Sequence, residues 1–386
     1  MDLGFKLSGC DIVWANDIFP EAVETYKYNI DKNIILGDIT QISSNNIPDN
    51  PDIVIGGFPC QGFSVANNNR SMKDERNFLY KELLRIIEDK QPKFFVAENV
   101  KGLLSMENGE VIKLIIKDFE EIGYKVNYKV LNAADYGVPQ ARERVIIIGN
   151  RLGIDNIFPS PTHSKNGGEG LQKHLSVKDA IEELSSIPLS SNETVLAKGK
   201  ITYNHVAYTN VAEKFFGRKH EVNQIELCAY LRKYRTQAKL SNKKIAELMN
   251  LPQTKVDHWF RDDNNSGSIP SKEDYLKLKE ILNLDNTYEK ELTEYEEKDI
   301  KFEQSLRITN WDKPSRTITA TTPEIHINKQ RRLSVRECAR LQTFPDNFKF
   351  FGKIDKQYRQ VGNAVPVELA KAIAKEVVKS IYNATK

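Results

Sequence analysis

Short apolar runs alternate with amphipathic stretches through the first 150 positions. DIVWA at 11–15, NIILGD at 33–38, DIVIGG at 52–57 and KFFVAENV at 93–100 predict strands, as do YKVNYKVLNA at 124–133 and RVIIIGN at 144–150. Between them PEAVETYKYNI carries Pro20 at a helix start, FLYKELLRIIED (78–89) has helical spacing, and VIKLIIKDFEEIG (111–123) is a helix closed by Gly123. Strands alternating with helices imply an α/β, Rossmann-like domain: a mostly parallel sheet with helices on both faces. In such sheets ligands bind beyond the carboxyl ends of the strands. The polar pairs ND (16–17), GD (37–38) and EN (98–99) and the turn FPCQ (58–61) all fall there.

The pattern then changes. Positions 155–210 are rich in Ser, Pro, Gly and Asn with little periodicity, 222–284 read as helical, and 285–303 form an acidic, solvated stretch. Within the helical part, KLSNKKIAELMNLPQTKVDHWFR (239–261) has Ser241 as a cap, and Ile245, Ala246, Met249, Leu251, Val256 and Trp259 space two short helices around a turn at Asn250. That spacing is the pattern of a helix-turn-helix. If it enters a groove, Gln253, Thr254, Lys255 and His258 are the readers; a hairpin that only packs on its neighbours is the alternative. From 331 come RRLSVRECARLQTFPDNF and then YRQVGNAVPVELAKAIAKEVVKSI, whose last part is a strongly amphipathic helix.

Composition adds a few bounds. A chain of 386 residues suggests two or three domains. With 56 Lys plus Arg against 53 Asp plus Glu, the net charge of +3 says little about partners. Locally it says more: across 218–261 there are 10 basic and 4 acidic residues, a net of +6 that suits phosphate contact. No run approaches the roughly 18 apolar residues of a membrane span, and the first ten residues lack a secretory pattern. Cys10, Cys60, Cys228 and Cys338 are far apart and form no CxxC pair. A reducing, cytoplasmic setting is expected, without zinc. Asp257, His258 and His205 have no ligand spacing that would support a metal.

One cysteine stands out. GGFPCQGFS (56–64) puts Cys60 between a proline and a glutamine, just after a strand. A lone cysteine there is ordinarily a packing residue. Its neighbours change that balance. GGFPCQGFS, AENV (97–100), QARER (140–144), RRLSVRECARLQTFPDNF and QVGNAVP (360–366) occur in an order and spacing that resemble the DNA (cytosine-5) methyltransferases. The resemblance covers about 1–150 and 305–386, and only weakly the segment between.

The resemblance implies a chemistry. Cys60 would be the thiolate that adds to cytosine C6, making C5 nucleophilic toward the methyl group of S-adenosylmethionine. Glu98 would serve the ring at N3, and Arg144, alternating with Arg142 on one face of a strand, would hold O2. Pro59 would fix the turn, and the target base would be flipped out of the duplex under a loop containing Gly62, Ser64 and the polar run at 66–77. For the cofactor, Asp17 would take the ribose hydroxyls, Ile18 would pack on adenine, and Asp38 with Ile39 would meet the adenine amino group. Gly57 and Leu79 would line the same pocket, and Asn363 would complete it. Arg316, Thr317 and Thr319 would meet the target strand.

The chain departs from the family pattern at its start. MDLGF matches residues that follow a strand and a glycine-rich loop, so the chain as given is expected to bind the cofactor weakly. The expected organisation is a catalytic domain at 1–160, a target-recognition domain at 161–344 and a returning segment at 345–386. The implied substrate is double-stranded DNA, the implied genetic partner a cognate restriction endonuclease, and the expected state a monomer. Three other readings stay open: a tRNA cytosine methyltransferase, a non-catalytic DNA-binding regulator, and an inactive remnant.

Overall fold

The computed structural model describes residues 1–58, 79–190, 199, 201–209, 222–261, 268–294, 307–321, 324–328 and 331–386, with the backbone alone at 194–195. Pro59, Cys60, Gly62, Ser64 and the run at 66–77 therefore lie outside the described residues.

The chain divides into two compact units. Unit 1 comprises Met1–Ala207, Thr309–Thr322 and Leu333–Lys386, and unit 2 comprises Tyr208–Ile308 and Pro323–Arg332. Segments assigned by sequence to a recognition domain, at 161–207, 309–322 and 333–344, thus pack with unit 1. Individual polar contacts hold them there: Asn204 donates Nδ2 to Phe350 O at 2.9 Å, and Ser315 N donates to Pro139 O at 2.9 Å. Fully buried His205 bonds Ser334 Oγ at 3.0 Å and Ile187 O at 3.1 Å and so joins two of the segments to each other.

Unit 1 opens with α1 (Asp2–Lys6), β1 (Ala15–Asp17), α2 (Pro20–Asn29), β2 (Ile34–Leu36) and β3 (Ile53–Gly57). There follow α3 (Leu79–Lys90), β4 (Phe94–Val100), α4 (Glu110–Glu121), β5 (Lys125–Asn132), β6 (Glu143–Asn150) and α5 (Val177–Ser185). β1 and β2 form a parallel pair, and a second sheet has the order β3-β4-β6-β5. β3 runs parallel to β4, but β6 is antiparallel to both β4 and β5. The sheet is mixed, not mostly parallel as expected. The cause is the connection from β5 to β6, which is a turn with Gly137 at φ +77° rather than a helical crossover. The first strand also sits later than DIVWA suggests, at Ala15–Asp17.

The even–odd alternation of the central strands sorts them between two cores. Phe94, Val96, Ile146 and Ile148 face one cluster with Phe5 of α1 and the apolar stripe of the C-terminal helix. Phe95, Ala97, Val145 and Ile147 face another with Ile87, Ile115 and Phe119 of α3 and α4. Both faces are covered, so these strands read as continuous apolar runs. Each such side chain contributes roughly 1.5–3 kcal/mol on burial.

Unit 2 carries α6 (Gln224–Gln237), α7 (Asn242–Met249), α8 (Gln253–Trp259), α9 (Lys272–Leu282) and α10 (Glu289–Thr293). Leu231, Ile245, Met249, Val256, Trp259 and Leu278 are among the residues of its own core. Asn223, Ser241 and Ser271 cap α6, α7 and α9 through their side chains. Back in unit 1, α11 (Val335–Leu341), α12 (Ile354–Asn363) and α13 (Val367–Ala384) close the chain. No helix among the described residues is long and apolar enough to cross a membrane.

Candidate active site

The strand ends of unit 1 gather most of the expected residues. Glu98, near the end of β4, lies opposite Gly57 in the β3–β4 register, and a Cβ at Gly57 would sit 3.4 Å from Glu98 Oε2. Next to it, buried Asn99 donates Nδ2 to Phe58 O at 3.1 Å. The backbone just ahead of Pro59 and Cys60 is therefore pinned against the carboxylate. Across the other neighbouring strand, Arg144 Nε approaches Glu98 Oε1 at 2.7 Å, with both side chains largely buried. It is a close ion pair in which the N–H is not aimed at the oxygen. Burial lowers the Arg144 pKa, and Glu98 opposes that shift.

Arg142 has a different place. It is 2% exposed, precedes β6, and donates Nη1 to Ile318 O at 2.9 Å and Nη2 to Gly362 O at 3.0 Å. Burial pulls its pKa down to about 9, with Arg144 adding to the shift and Glu98 opposing it. Its fork ties the segment at 309–322 and α12 to the sheet, whereas Arg144 is the arginine that meets the carboxylate. The expected strand face shared by both is not what positions Arg142. Gln140, fully buried, reinforces the tie by accepting from Ile318 N at 2.9 Å. Arg316 and Thr319 are exposed on that same segment, and Thr317 is half-buried with its hydroxyl on Ala141 O.

A cavity of about 270 Å³ in unit 1 is lined by Asp17, Phe19, Arg359 and Asn363, with Phe344, Phe348 and Phe350 among its aromatic wall. Asp17 Oδ1 accepts from Phe19 N at 2.8 Å. Burial raises the Asp17 pKa, while the backbone N–H groups of Phe19 and Ile18 and the charge of Arg359 hold it back. The cavity unites Asp17 and Asn363, from opposite ends of the chain. The other expected cofactor residues do not line it. Ile18 is 54% exposed. Exposed Asp38 caps the short turn that includes Ile39, accepting from Thr40 N at 3.0 Å, and Leu79 begins α3 half-buried. Sequence reasoning missed Arg359, whose guanidinium lies 4.0 Å from the Phe19 ring centroid. The signal was available: Arg359 is one helical turn before Asn363 on α12. Acceptor, amide and aromatic wall suit a nucleoside diol with a zwitterionic tail, so these residues fit S-adenosylmethionine.

In unit 2, Gln253 and Thr254 are exposed on α8 and His258 is half-buried. Lys255 is committed to Asp274 at 2.8 Å. No group of three or more potential metal ligands occurs among the described residues.

A model of the C-5 cytosine-specific DNA methylases matches residues 1–379. The chain belongs to that family. The methylase is 36% identical to the Type II methyltransferase M.NgoFVII of Neisseria gonorrhoeae over 97% of its own length and 83% of the relative's. It is 35% identical to M.FnuDI of Fusobacterium nucleatum, covering 100% and 93%. In fold it resembles a crystal structure described as a DNA modification methyltransferase encoded within an E. coli prophage, with a TM-score of 0.60 and 22% identity over 99% and 95% of the two chains. The methylase uses S-adenosylmethionine to methylate C5 of cytosine in double-stranded DNA.

Proposed function

We propose that Cys60 is the nucleophile of this methylase, and that Glu98 and Arg144 hold the target cytosine beside it. The observation that carries this reading is the convergence of three strand ends: the Glu98–Arg144 pair at 2.7 Å stands against the backbone of Gly57 and Phe58, which lead directly into Pro59 and Cys60. In this reading the Cys60 thiolate adds to C6, which becomes tetrahedral, and the electron pair moves into a C4=C5 enamine whose C5 would take the methyl group before its proton leaves. Glu98 serves the N3 edge of the ring and Arg144 its O2, and loss of the C5 proton then expels the thiolate. Pro59 keeps the turn in place. Asp17 and Asn363, with Asp38, Ile39, Ile18, Gly57 and Leu79 further out, hold S-adenosylmethionine, which supplies the methyl group. Arg316 and Thr319 meet the target strand from the segment that Arg142 anchors.

The test is trapping on duplexes containing 5-fluorocytosine, whose C5 cannot release a proton. With S-adenosylmethionine the chain should give a covalent adduct that Cys60→Ser abolishes. An adduct that survives in Cys60→Ser refutes the assignment. The relatives' designation as Type II methyltransferases supports a further reading: the chain is the protective half of a restriction–modification pair. A cytoplasmic monomer is part of the same proposal. Its expression should then protect host DNA from an endonuclease encoded beside it, and light scattering should give the mass of one chain.

A further inference from the structure

α3 does more than cover the sheet. Glu82, Arg85 and Asp89 share one of its faces. Arg85 Nη2 donates to Ile39 O at 3.2 Å and to Ile42 O at 3.1 Å, and Arg85 Nη1 donates to Ser44 Oγ at 2.7 Å. Ser44 Oγ in turn donates to Asp89. Glu82 Oε2 accepts from Arg85 Nε at 2.9 Å and fixes the guanidinium on its own helix. Gly37, just ahead of this turn, is tied to β1 by its N–H on Asp17 O at 3.1 Å. Among the described residues, Arg85 and Asp89 make every hydrogen bond that reaches positions 38–47 from elsewhere in the chain. The placement of the turn therefore rests on α3.

The turn carries Asp38 and Ile39. Asp38 Oδ1 is taken by Thr40, which donates from N at 3.0 Å and from Oγ1 at 2.9 Å. Those bonds fix the carboxylate and leave its Oδ2 without a hydrogen bond among the described residues, on an exposed side chain. α3 also meets β3: a Cβ at Gly56 would lie 3.3 Å from Leu83 Cδ1. One helix thus sets the turn after β2 against the end of β3. The Arg85 side chain is 32% exposed, so its pair with Glu82 adds little stability. What a planar fork on two carbonyls and a hydroxyl adds is position.

We propose that Arg85 is a positioning residue for adenine recognition: it holds the turn on α3 so that the open oxygen of Asp38 meets the adenine amino group of the cofactor. The proposal deepens the reading of Asp38 as a cofactor residue and rests on it.

The experiment is calorimetry on the full chain with S-adenosylhomocysteine and with S-inosylhomocysteine, in which a carbonyl replaces the adenine amine. A carboxylate accepts from the amine and repels the carbonyl, so the unaltered chain should prefer the first ligand by roughly tenfold or more. Asp38→Ala should remove that preference. Arg85→Ala should weaken S-adenosylhomocysteine by roughly tenfold and leave the analogue within about threefold, because a displaced acceptor loses the amine without touching the rest of the ligand. Arg85→Lys keeps the charge, and so guards against a loss of fold, but cannot fork; it should restore only part of the preference. A preference that Asp38→Ala abolishes and both Arg85 variants keep overturns the proposal alone. So does an equal loss for the two ligands, which is what a merely structural arginine would give. A preference that survives Asp38→Ala overturns the adenine assignment of Asp38 and the proposal with it.

Discussion

Asp17 is pulled two ways. In the proposed reading it accepts the ribose hydroxyls as a carboxylate, yet its burial favours the proton. Phe19 N, Ile18 N and Arg359 restrain that shift without cancelling it. A raised pKa means the protonated form takes over at a higher pH than usual as pH falls. Calorimetric binding of S-adenosylhomocysteine should therefore weaken on acidification with a midpoint above the ordinary aspartate value near 4, and Asp17→Asn should bind weakly with a flat profile. Arg359→Ala removes the one restraining charge and should move the midpoint further up, raising KM for the cofactor more than it lowers kcat; Arg359→Lys should restore the charge but not the stacking on Phe19. The Glu98–Arg144 pair gives a second expectation at this scale. Glu98→Gln should cost roughly 100-fold or more in kcat. Arg144→Ala should also destabilise the fold by about 3 kcal/mol, because it strands a buried carboxylate; chemical denaturation measures this. Residues such as Asp17, Glu98 and Asn363 were legible because strand ends and short motifs mark them. The helical spacing from Asn363 could have marked Arg359, and the strand end marked Asn99, but their contacts with Phe19 and Phe58 come from elements distant in sequence and leave no local trace.

At the scale of elements, a glycine holds the anchored segment close. A Cβ at Gly362 would meet the backbone of Thr319 and Ala320 at 2.3–2.4 Å, and the Gly362 carbonyl is one of the two acceptors of Arg142. Gly362→Ala cannot be relieved by a side-chain rotation. It should push the segment at 316–319 off α12, costing about 1–3 kcal/mol and weakening DNA binding while leaving S-adenosylhomocysteine binding within a few-fold; paired melts and titrations would show it. The strands and helices were largely readable here, because alternation in β4 and β6 and the stripe of α13 answer directly to burial. The direction of β6 was not. It depends on whether β5 and β6 are joined by a crossover helix or a turn, and apolar alternation is the same either way. The placement of 309–322 beside Gln140 and Arg142 rests on single backbone hydrogen bonds such as Ser315 N to Pro139 O at 2.9 Å, which leave no periodic trace.

For the whole molecule the question is whether two compact units mean two folding units. The cores of unit 1 draw on α1, α3, α4, α13 and the sheet, while the bundle core lies wholly within 222–292. Trp259, 2% exposed, is among the largest side chains of the bundle. Trp259→Ala would open a cavity costing about 3–5 kcal/mol. A helical bundle of this size has little more stability than that to lose. If the units are independent, the variant's bundle melts at low temperature and a later transition remains that S-adenosylhomocysteine still shifts upward by its usual amount. If the variant instead loses the cofactor-dependent shift together with the bundle, the units fold as one. The first result leaves the bundle free to vary in sequence while the candidate strand ends of unit 1 stay as they are.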